Sequence, residues 1–474
     1  MRALLAAPIL FQAGMLVAES PTYTDGSEAD VYYYSVEDGL NVTDGPSALP
    51  AEHDIFPGPQ RGAEQASYEQ SSSAGEYEPG VFEPSNFTYG GCESCGSAGC
   101  ACEAGCDPAC GGCGGCGGCC KPDHPYYARG EYLMWWMSGA TAPPLLTTSP
   151  NGTPITDAGV LPDAEILFPD DRLEKNGRPG GRFTVGRWFN DGEWAVEGSY
   201  FFLDKASSPY SVSSDDNGSP IIARPFIDAD TGDNDAFIVA YPNVFSGTAT
   251  VANASDLLGA EANIRKAVLG NHGCRMDLLA GYRFLRLRES LSVYENQTSI
   301  DQGGVIPLGT HISIQDDFAM NNTFHGGQVG ILLEKQCCRW TIEGTGKVAF
   351  GSWEQQARIG GVTTVTVPNV APVVEEGGIL ALPSNIGNYS RNRFAAIPEL
   401  SLNLRYQLTR CWKVNVGYTF MYLQRIVRPG NNVDLRIDTD QIPPPLSAGS
   451  FPEFKFKESD AWLQGVNIGL ECRF

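Results

Sequence analysis

The sequence predicts an all-β protein: an antiparallel up-and-down transmembrane β-barrel of about ten strands behind a largely disordered N-terminal segment. Three observations carry this. Beyond Pro125, apolar and polar residues alternate in blocks of about 8 to 14, the period of a strand with two unlike faces. The connections between blocks alternate short and long without exception, and the chain closes its last alternating block on Phe474.

At the N-terminus, Arg2 and the stretch Ala3 to Val17, apolar apart from Gln12, read as a secretory signal over 1–18 with Ala18 as the cleavage position. Residues 19–123 are rich in Ser, Gly, Pro, Glu and isolated Tyr without a sustained period. So few aliphatic side chains cannot offset the entropy of ordering the chain. Within this segment, Cys92, Cys95, Cys100, Cys102, Cys106, Cys110, Cys113, Cys116, Cys119 and Cys120 hold ten of the protein's 15 cysteines. CxxC steps also serve zinc and iron–sulfur centres, but here the pairs lack the spacing of a zinc ribbon and Gly-Gly fills the gaps. In an exported chain the cluster over 92–120 reads as disulfides, within the segment or between molecules.

The region 124–474 holds the barrel. Strands are predicted near 127–138, 181–189, 193–204, 256–267, 274–287, 322–334, 339–351, 395–408, 411–424 and 460–474. In the last of them Val466, Ile468, Leu470, Cys472 and Phe474 share one face, with Asn467, Gly469, Glu471 and Arg473 on the other. Turns at Asn190-Asp191-Gly192, 267–273, 335–338 and Thr409-Arg410 are short, whereas 139–180, 205–255, 288–321, 352–394 and 425–459 are long loops. An outer-membrane barrel has this asymmetry, with tight periplasmic turns and long outer loops, and an even strand count places both chain ends in the periplasm. A soluble β-sandwich also alternates but gives little reason for one set of connections to be so much longer. Twelve strands are the alternative count, because Ala236 to Val251 reads as an extra hairpin. Trp135, Trp136, Trp188, Trp194, Trp340, Trp412, Tyr418 and Tyr422 fall near strand ends, as interfacial girdles do. Phe474 resembles the C-terminal signal handed to the barrel-insertion machinery, which with outer-membrane lipid makes up the expected partners.

Charge excludes one class of partner. The 474 residues carry 56 Asp and Glu against 32 Lys and Arg, a net −24, and phosphate recognition needs a basic surface, so no nucleic acid is expected. Residues 1–123 hold 18 of the acids and only Arg2, Arg61 and Lys121, a balance of −15. In the barrel, the polar strand faces assign to the lumen the acids Glu131, Glu197, Glu261, Asp277, Glu343, Glu399 and Glu471. They assign to it also the bases Arg129, Arg182, Arg265, Arg283, Lys347, Arg405, Lys413 and Arg473. Barrels of about 16 strands leave a water-filled channel and about 8 leave room only for side chains. Ten strands lie near the narrow end, so paired charges are expected to fill much of the bore.

The runs Glu131-Tyr132-Leu133-Met134-Trp135-Trp136 and Pro143-Pro144-Leu145-Leu146-Thr147-Thr148-Ser149-Pro150 resemble the opening of the "Putative beta barrel porin-7" family, outer-membrane barrels of planctomycete bacteria. The segments at 181–186, 197–203, 277–285 and 416–420 agree. So do Phe324-His325-Gly326-Gly327-Gln328, Ser384-Asn385-Ile386-Gly387 and Val427-Arg428-Pro429-Gly430. The resemblance covers roughly 127–474 and implies fold and location, but brings no catalytic or ligand residues. The function expected is a porin-like barrel with at most narrow permeation of small solutes. A structural or adhesive envelope protein is the alternative, joined to itself or to envelope proteins through the Cys-rich tail. An enzyme is not expected, and no cofactor or metal is implied. No GxSxG signature is present, and the one acid–base set to weigh is His311 and His325 with Asp316 and Asp317.

Overall fold

The computed structural model describes residues 125–170, 176–271, 273–442 and 449–474. The signal over 1–18, the segment 19–123 and its ten cysteines lie outside the described residues. In chain order the strands are β1 (Tyr126–Met137), β2 (Leu146–Thr148), β3 (Glu165–Phe168), β4 (Arg178–Phe189), β5 (Trp194–Ser213), β6 (Ile222–Asp228), β7 (Asn234–Ala240) and β8 (Phe245–Asn271). They continue with β9 (Cys274–Ser299), β10 (His311–Cys337), β11 (Trp340–Thr366), β12 (Val373–Glu376), β13 (Gly387–Gln407), β14 (Trp412–Val427), β15 (Arg436–Ile437) and β16 (Glu458–Arg473).

Among the described residues, ten of these strands form an antiparallel ring in the order β1, β4, β5, β8, β9, β10, β11, β13, β14, β16. The ring closes where β1 pairs with β16, Tyr127 opposite Arg473 through Met137 opposite Leu463. Closure leaves no sheet edge in a solvent that offers no hydrogen bonds. The connections at 190–192, 338–339 and 408–411 lie at one rim. The first of them runs through Asn190, Asp191 and Gly192 at φ 50°, 54° and 91°, left-handed values that these residue types adopt most readily.

All ten expected strands are present, but six of them, β5, β8 to β11 and β13, are longer than the alternation suggested. β8 to β11 run 26 or 27 residues each, so much of 205–255, 288–321 and 352–394 is strand rather than loop. The reason is a change of solvent. Along β9 the outward residues Leu278, Tyr282 and Phe284 are apolar up to Arg286, and from there the same face carries Arg288, Ser290, Ser292, Asn296 and Thr298. The inward face changes in the opposite sense, from Asp277 and Arg283 to Leu285, Leu287, Leu291 and Val293. β10 and β11 switch at the same height, Val329, Ile331 and Leu333 giving way outward to His325, Thr323 and Asn321, and Phe350 to Ser352 and Glu354. About ten residues cross a bilayer as a tilted strand. The remainder of each strand stands in water as an ordinary barrel with its apolar face inward. The alternation persists but slips by one position at the boundary, and this slip reads in sequence as a strand end.

The stretch Ala236 to Val251 is no added hairpin of the barrel. Its first part is β7, which pairs with β6 in a second sheet of β2, β3, β6, β7 and β15, and its last part begins β8. This sheet caps the long-loop end, where Leu146, Phe168, Ile222 and Phe226 pack with Val251, Leu291, Val293, Phe318 and the loop residues Ile379 and Leu380. The aromatic girdle also needs correcting. Trp136, Trp340, Trp412 and Tyr418 face out, but Trp135 is 1% exposed inside the barrel. Trp188 lies beneath Arg275 and Arg265, whose guanidinium carbons sit 4.3 and 5.0 Å from its ring centre.

The height of the apolar band is testable on one strand. Ile331→Arg should destabilise the barrel in lipid by about 2–4 kcal/mol, the usual cost of a midplane cation. Asn321→Arg, on the same face ten positions higher, should change it by less than about 0.5 kcal/mol. Denaturant unfolding of both variants from vesicles makes the comparison, and equal costs would mean the band is misplaced.

Candidate functional site: a bore filled in layers

Nearest the short-turn rim the bore holds a mesh of charge. Arg265 reaches Asp277 at 2.7 Å and Glu197 at 3.1 Å, and Arg275 adds a second contact to Asp277 at 2.7 Å. Glu197 also accepts from the Tyr127 hydroxyl at 2.7 Å. Glu471 gathers Arg129 at 2.9 Å, Arg473 at 3.2 Å and Arg405 at 3.8 Å, while Arg405 also bonds Glu343. Lys413 stands opposite Glu471 in the β14–β16 register.

One step higher, Arg182 donates to Glu131 at 2.6 Å, whose other oxygen accepts from Asn467 at 2.6 Å and Asn415 at 2.8 Å. Across the bore Arg283 pairs with Glu399, and Lys347 bridges Glu399 at 3.1 Å and Glu261 at 2.8 Å. Gln328 completes Glu261 at 2.6 Å. The strands provide these positions because every inward residue repeats at two along each chain and at one height around the ring. Packing is close at two inward glycines. A methyl group on Gly417 would collide with Asn403 and Asn467, and one on Gly469 with Glu131 and the Gly130 carbonyl. A concavity lies on the lipid-facing wall, between Phe183, Val185, Val414 and Ile468.

Above the charges lies an apolar layer of Leu133, Trp135, Phe201, Leu285, Phe324, Trp353, Ile397 and Leu463 among others. Phe324 and Trp353 meet edge to face with centroids 5.2 Å apart, a favoured aromatic geometry. A further polar level follows. Arg428 donates to Glu289 at 2.6 Å and to the Ser138 carbonyl at 2.8 Å, and Asn322 exchanges two 2.8 Å bonds with the backbone of Val427. The cap then buries Arg224 between Asp316 at 2.6 Å and Glu295 at 3.5 Å. Asp316 also accepts from the backbone N–H groups of Ile379, Leu380 and Ala381 at 3.0, 3.0 and 2.7 Å, so it fixes the loop 377–386 against the strands.

The residues assigned to the lumen from sequence thus line one level or the next of the mesh, with Arg473 at its rim. Sequence reasoning missed Glu289, Glu295, Arg224 and Arg428. Glu289 and Glu295 share the odd-numbered parity of Asp277 and Arg283 on β9, so extending that parity would have found them. Arg224 and Arg428 lie on elements that return into the bore and had no such signal. Tyr282 and His325 meet on the outer wall, the hydroxyl 2.5 Å from Nδ1. His311 contacts Thr298 at 3.2 Å, Asp317 accepts from Ser292 at 2.5 Å, and Asp316 is engaged as above. His325 lies eight positions from Asp317 on β10, about 27 Å at strand rise, so these four residues form no acid–base set.

A family model matches residues 127–474 and is described as Putative beta barrel porin-7. The chain belongs to this family. The porin-7 barrel is an outer-membrane β-barrel protein, porin-like in class. It matches no curated protein. Among solved structures it is similar to the outer membrane protease OmpT of Escherichia coli, at 10% identity and TM-score 0.31 over 74% of this chain and 97% of that one. It is also similar to the toluene transporter TodX of P. putida, at 8% identity and TM-score 0.19 over 74% and 91%. A FadL homologue of Pseudomonas aeruginosa is matched at 8% identity and TM-score 0.16 over 74% and 90%. Likenesses this distant carry neither activity nor cargo to the porin-7 barrel.

Two outcomes follow from the mesh and the cap. Arg405→Met removes one of the two cations, the other being Arg129, that Glu343 and Glu471 share, and should cost about 3–5 kcal/mol. Arg473→Met, at the wet rim, should cost under about 1 kcal/mol by the same unfolding measurement. Glu295 lies above the lipid band, where burial, reinforced by the charge of Asp316, pushes its carboxyl from 4.5 up to about 7 against the pull of Arg224. The folded cap therefore holds a proton that the unfolded chain releases. Stability is highest below pH 4.5 for this group and falls as pH rises to about 7. Thermal unfolding between pH 4 and 8 should show that decline, and Glu295→Gln should flatten it.

Proposed function

We propose that this barrel is a sealed envelope protein that passes at most small solutes through narrow gaps, with both chain ends in the periplasm. The stacked filling supports the reading: a charge mesh, an apolar layer with Trp135 and Trp353, and a capped outer end occupy successive heights of one bore. A wide pore lines its wall with solvated charge. Here Glu131, Asp277, Arg283 and Glu471 are each exposed by 4% or less. Charges withdrawn from water to this degree hold only as a paired set, and a conducting path would have to break that set.

The short turns support the proposed orientation, since barrels of this class place them on the periplasmic side. A structural or adhesive role in the envelope is a second reading, favoured by the cap. Strands that extend far beyond the lipid and end in a packed sheet present a fixed surface to the outside. In this reading the Cys-rich tail joins the barrel to itself or to envelope proteins. The C-terminal Phe474 stacks on Tyr126 with centroids 6.0 Å apart at the closing seam, where a signal for the insertion machinery would be last to be covered.

Reconstitution in planar bilayers tests the sealed bore. The full chain should give no large, stable steps, and large weakly selective channels would overturn the proposal. Removing Phe474 should lower the amount of folded, heat-modifiable barrel in the outer membrane several-fold, while a Phe474→Tyr variant should retain most of it.

A further inference from the structure

Two neighbouring strands of the wall part company before either ends. β13 and β14 are paired only as far as Glu399 opposite Met421, yet β13 starts at Gly387 and β14 continues to Val427. Over 387–398 β13 stays paired with β11 and, among the described residues, has no strand on its other side. The sequence dictates the stop. Gln407 donates to Arg339 on the β11 side, so by strand alternation the even-numbered residues of β13 turn their backbone groups towards β14. Pro398 is even and has no N–H to give. β14 meanwhile leaves the wall. Its register with β16 slips between Leu423 and Ile426, and Arg425 takes a left-handed φ of 56°, uncommon for a residue with a Cβ. The Gln424 carbonyl then accepts from Trp353 Nε1 at 2.9 Å and the Arg425 carbonyl from Gln355, both donors lying on the inward face of β11. The strand turns into the bore, while the side chain of Arg425 stays exposed.

The parting opens at the upper edge of the lipid band. Pro398 and Ala396 lie opposite Val348 and Phe350, and Phe394 lies opposite Ser352, where the outward face of β11 turns polar. Just below, Leu400 and Phe420 are in register across the two strands, and Leu400 and Phe394 are each 63% exposed. Arg391, Arg393 and Arg425 stand around the opening. Arg425 donates from Nη1 to the Phe394 carbonyl at 3.1 Å, while Arg391 and Arg393 share one oxygen of Glu458 at 2.8 and 3.0 Å. Asp460 accepts from the Arg425 backbone N–H at 2.9 Å and from the Tyr422 hydroxyl at 2.8 Å. Three guanidinium groups thus meet two carboxylates, and half of the Arg393 side chain remains open to solvent.

We propose that this parting is a binding site for an anionic phospholipid of the leaflet on the long-loop side, its phosphate on the guanidinium groups of Arg393 and Arg425 and an acyl chain along Phe394 and Leu400. Charge and height agree on this occupant. The planar fork of a guanidinium matches phosphate oxygens, and a surplus of cations beside the hydrocarbon edge attracts anionic headgroups. This surplus stands in a chain of net charge −24. The exposed apolar side chains begin immediately below the arginines, as the two ends of a lipid require. A peptide added as a strand to the open side of β13 fits less well, because it would meet Pro398 and a Phe394 carbonyl that Arg425 already holds. The site depends on where the lipid band ends and not on whether the bore conducts.

The test uses the full-length protein in phosphatidylcholine bilayers, with spin-labelled phosphatidic acid as the probe and spin-labelled phosphatidylcholine as the reference. The native protein should hold phosphatidic acid several-fold more strongly than phosphatidylcholine. Arg393→Gln combined with Arg425→Gln should abolish that preference, and the corresponding pair of Lys variants should keep most of it, with heat-modifiability reporting that each barrel has folded. Arg288→Gln removes an exposed cation from the outward face of β9, above the band on a stretch of wall that stays paired on both sides, and should leave the preference unchanged. A photoactivatable phosphatidic acid should mark the tryptic peptide 394–405. An undiminished preference in the double Gln variant would overturn the proposal. So would an equal loss in Arg288→Gln, labelling spread evenly around the outward faces, or displacement of the probe by inorganic phosphate, which would make the site one for a soluble anion.

Discussion

The hydrocarbon around the barrel offers no hydrogen bonds, and most of this structure follows from that constraint. Every backbone N–H and C=O at that depth must be paired within the protein, so the sheet has to close, and here it closes where β1 meets β16. Once closed, the wall has one face in lipid and one in the bore. The lipid face takes Val, Leu, Ile and the aromatic residues. Polar side chains can then go only inward, and ten strands leave too narrow a bore to hydrate them. They pair instead: Glu131 with Arg182, Arg265 with Asp277, Lys347 with Glu261.

The same constraint explains what happens above the lipid. When the outer solvent becomes water, the two faces exchange character without any break in the hydrogen-bonded ladder. Phe284 faces lipid, Leu285 faces the interior, and the strand continues to Ser299. Apolar residues inside the upper barrel need a cover, which the short strands β2, β3, β6, β7 and β15 provide. Ion pairs become isolated there instead of meshed. Arg224 lies between two carboxylates: Asp316 has three backbone donors and the shorter contact, and burial raises the carboxyl of Glu295.

Much of the barrel was legible in the sequence because lipid imposes a strict rule on each strand separately. The parity of Val466, Ile468 and Leu470, or of Leu400, Leu402 and Leu404, needs no knowledge of neighbours. Where two rules meet, the reading failed. The one-residue slip after Phe284 was read as a strand end, and Trp135 was taken for a girdle residue although it faces the apolar layer inside. Asp316 was weighed as a catalytic acid, but only the return of the loop 377–386 and the approach of Arg224 on β6 show what it holds.

The sequence by itself indicated about ten strands, with twelve as the alternative, together with the inward and outward faces within the lipid band and the charges on the inward face there, because these depend on local period and on one uniform solvent. It also set the uneven charge, a net −15 of the total net −24 lying before residue 124. The tertiary structure decided which acid meets which base, where the lipid band ends, and that Arg428 and Arg224 fold back into the bore. Those outcomes depend on register around a closed ring and on loops returning to it, which place residues more than 100 positions apart within hydrogen-bond reach.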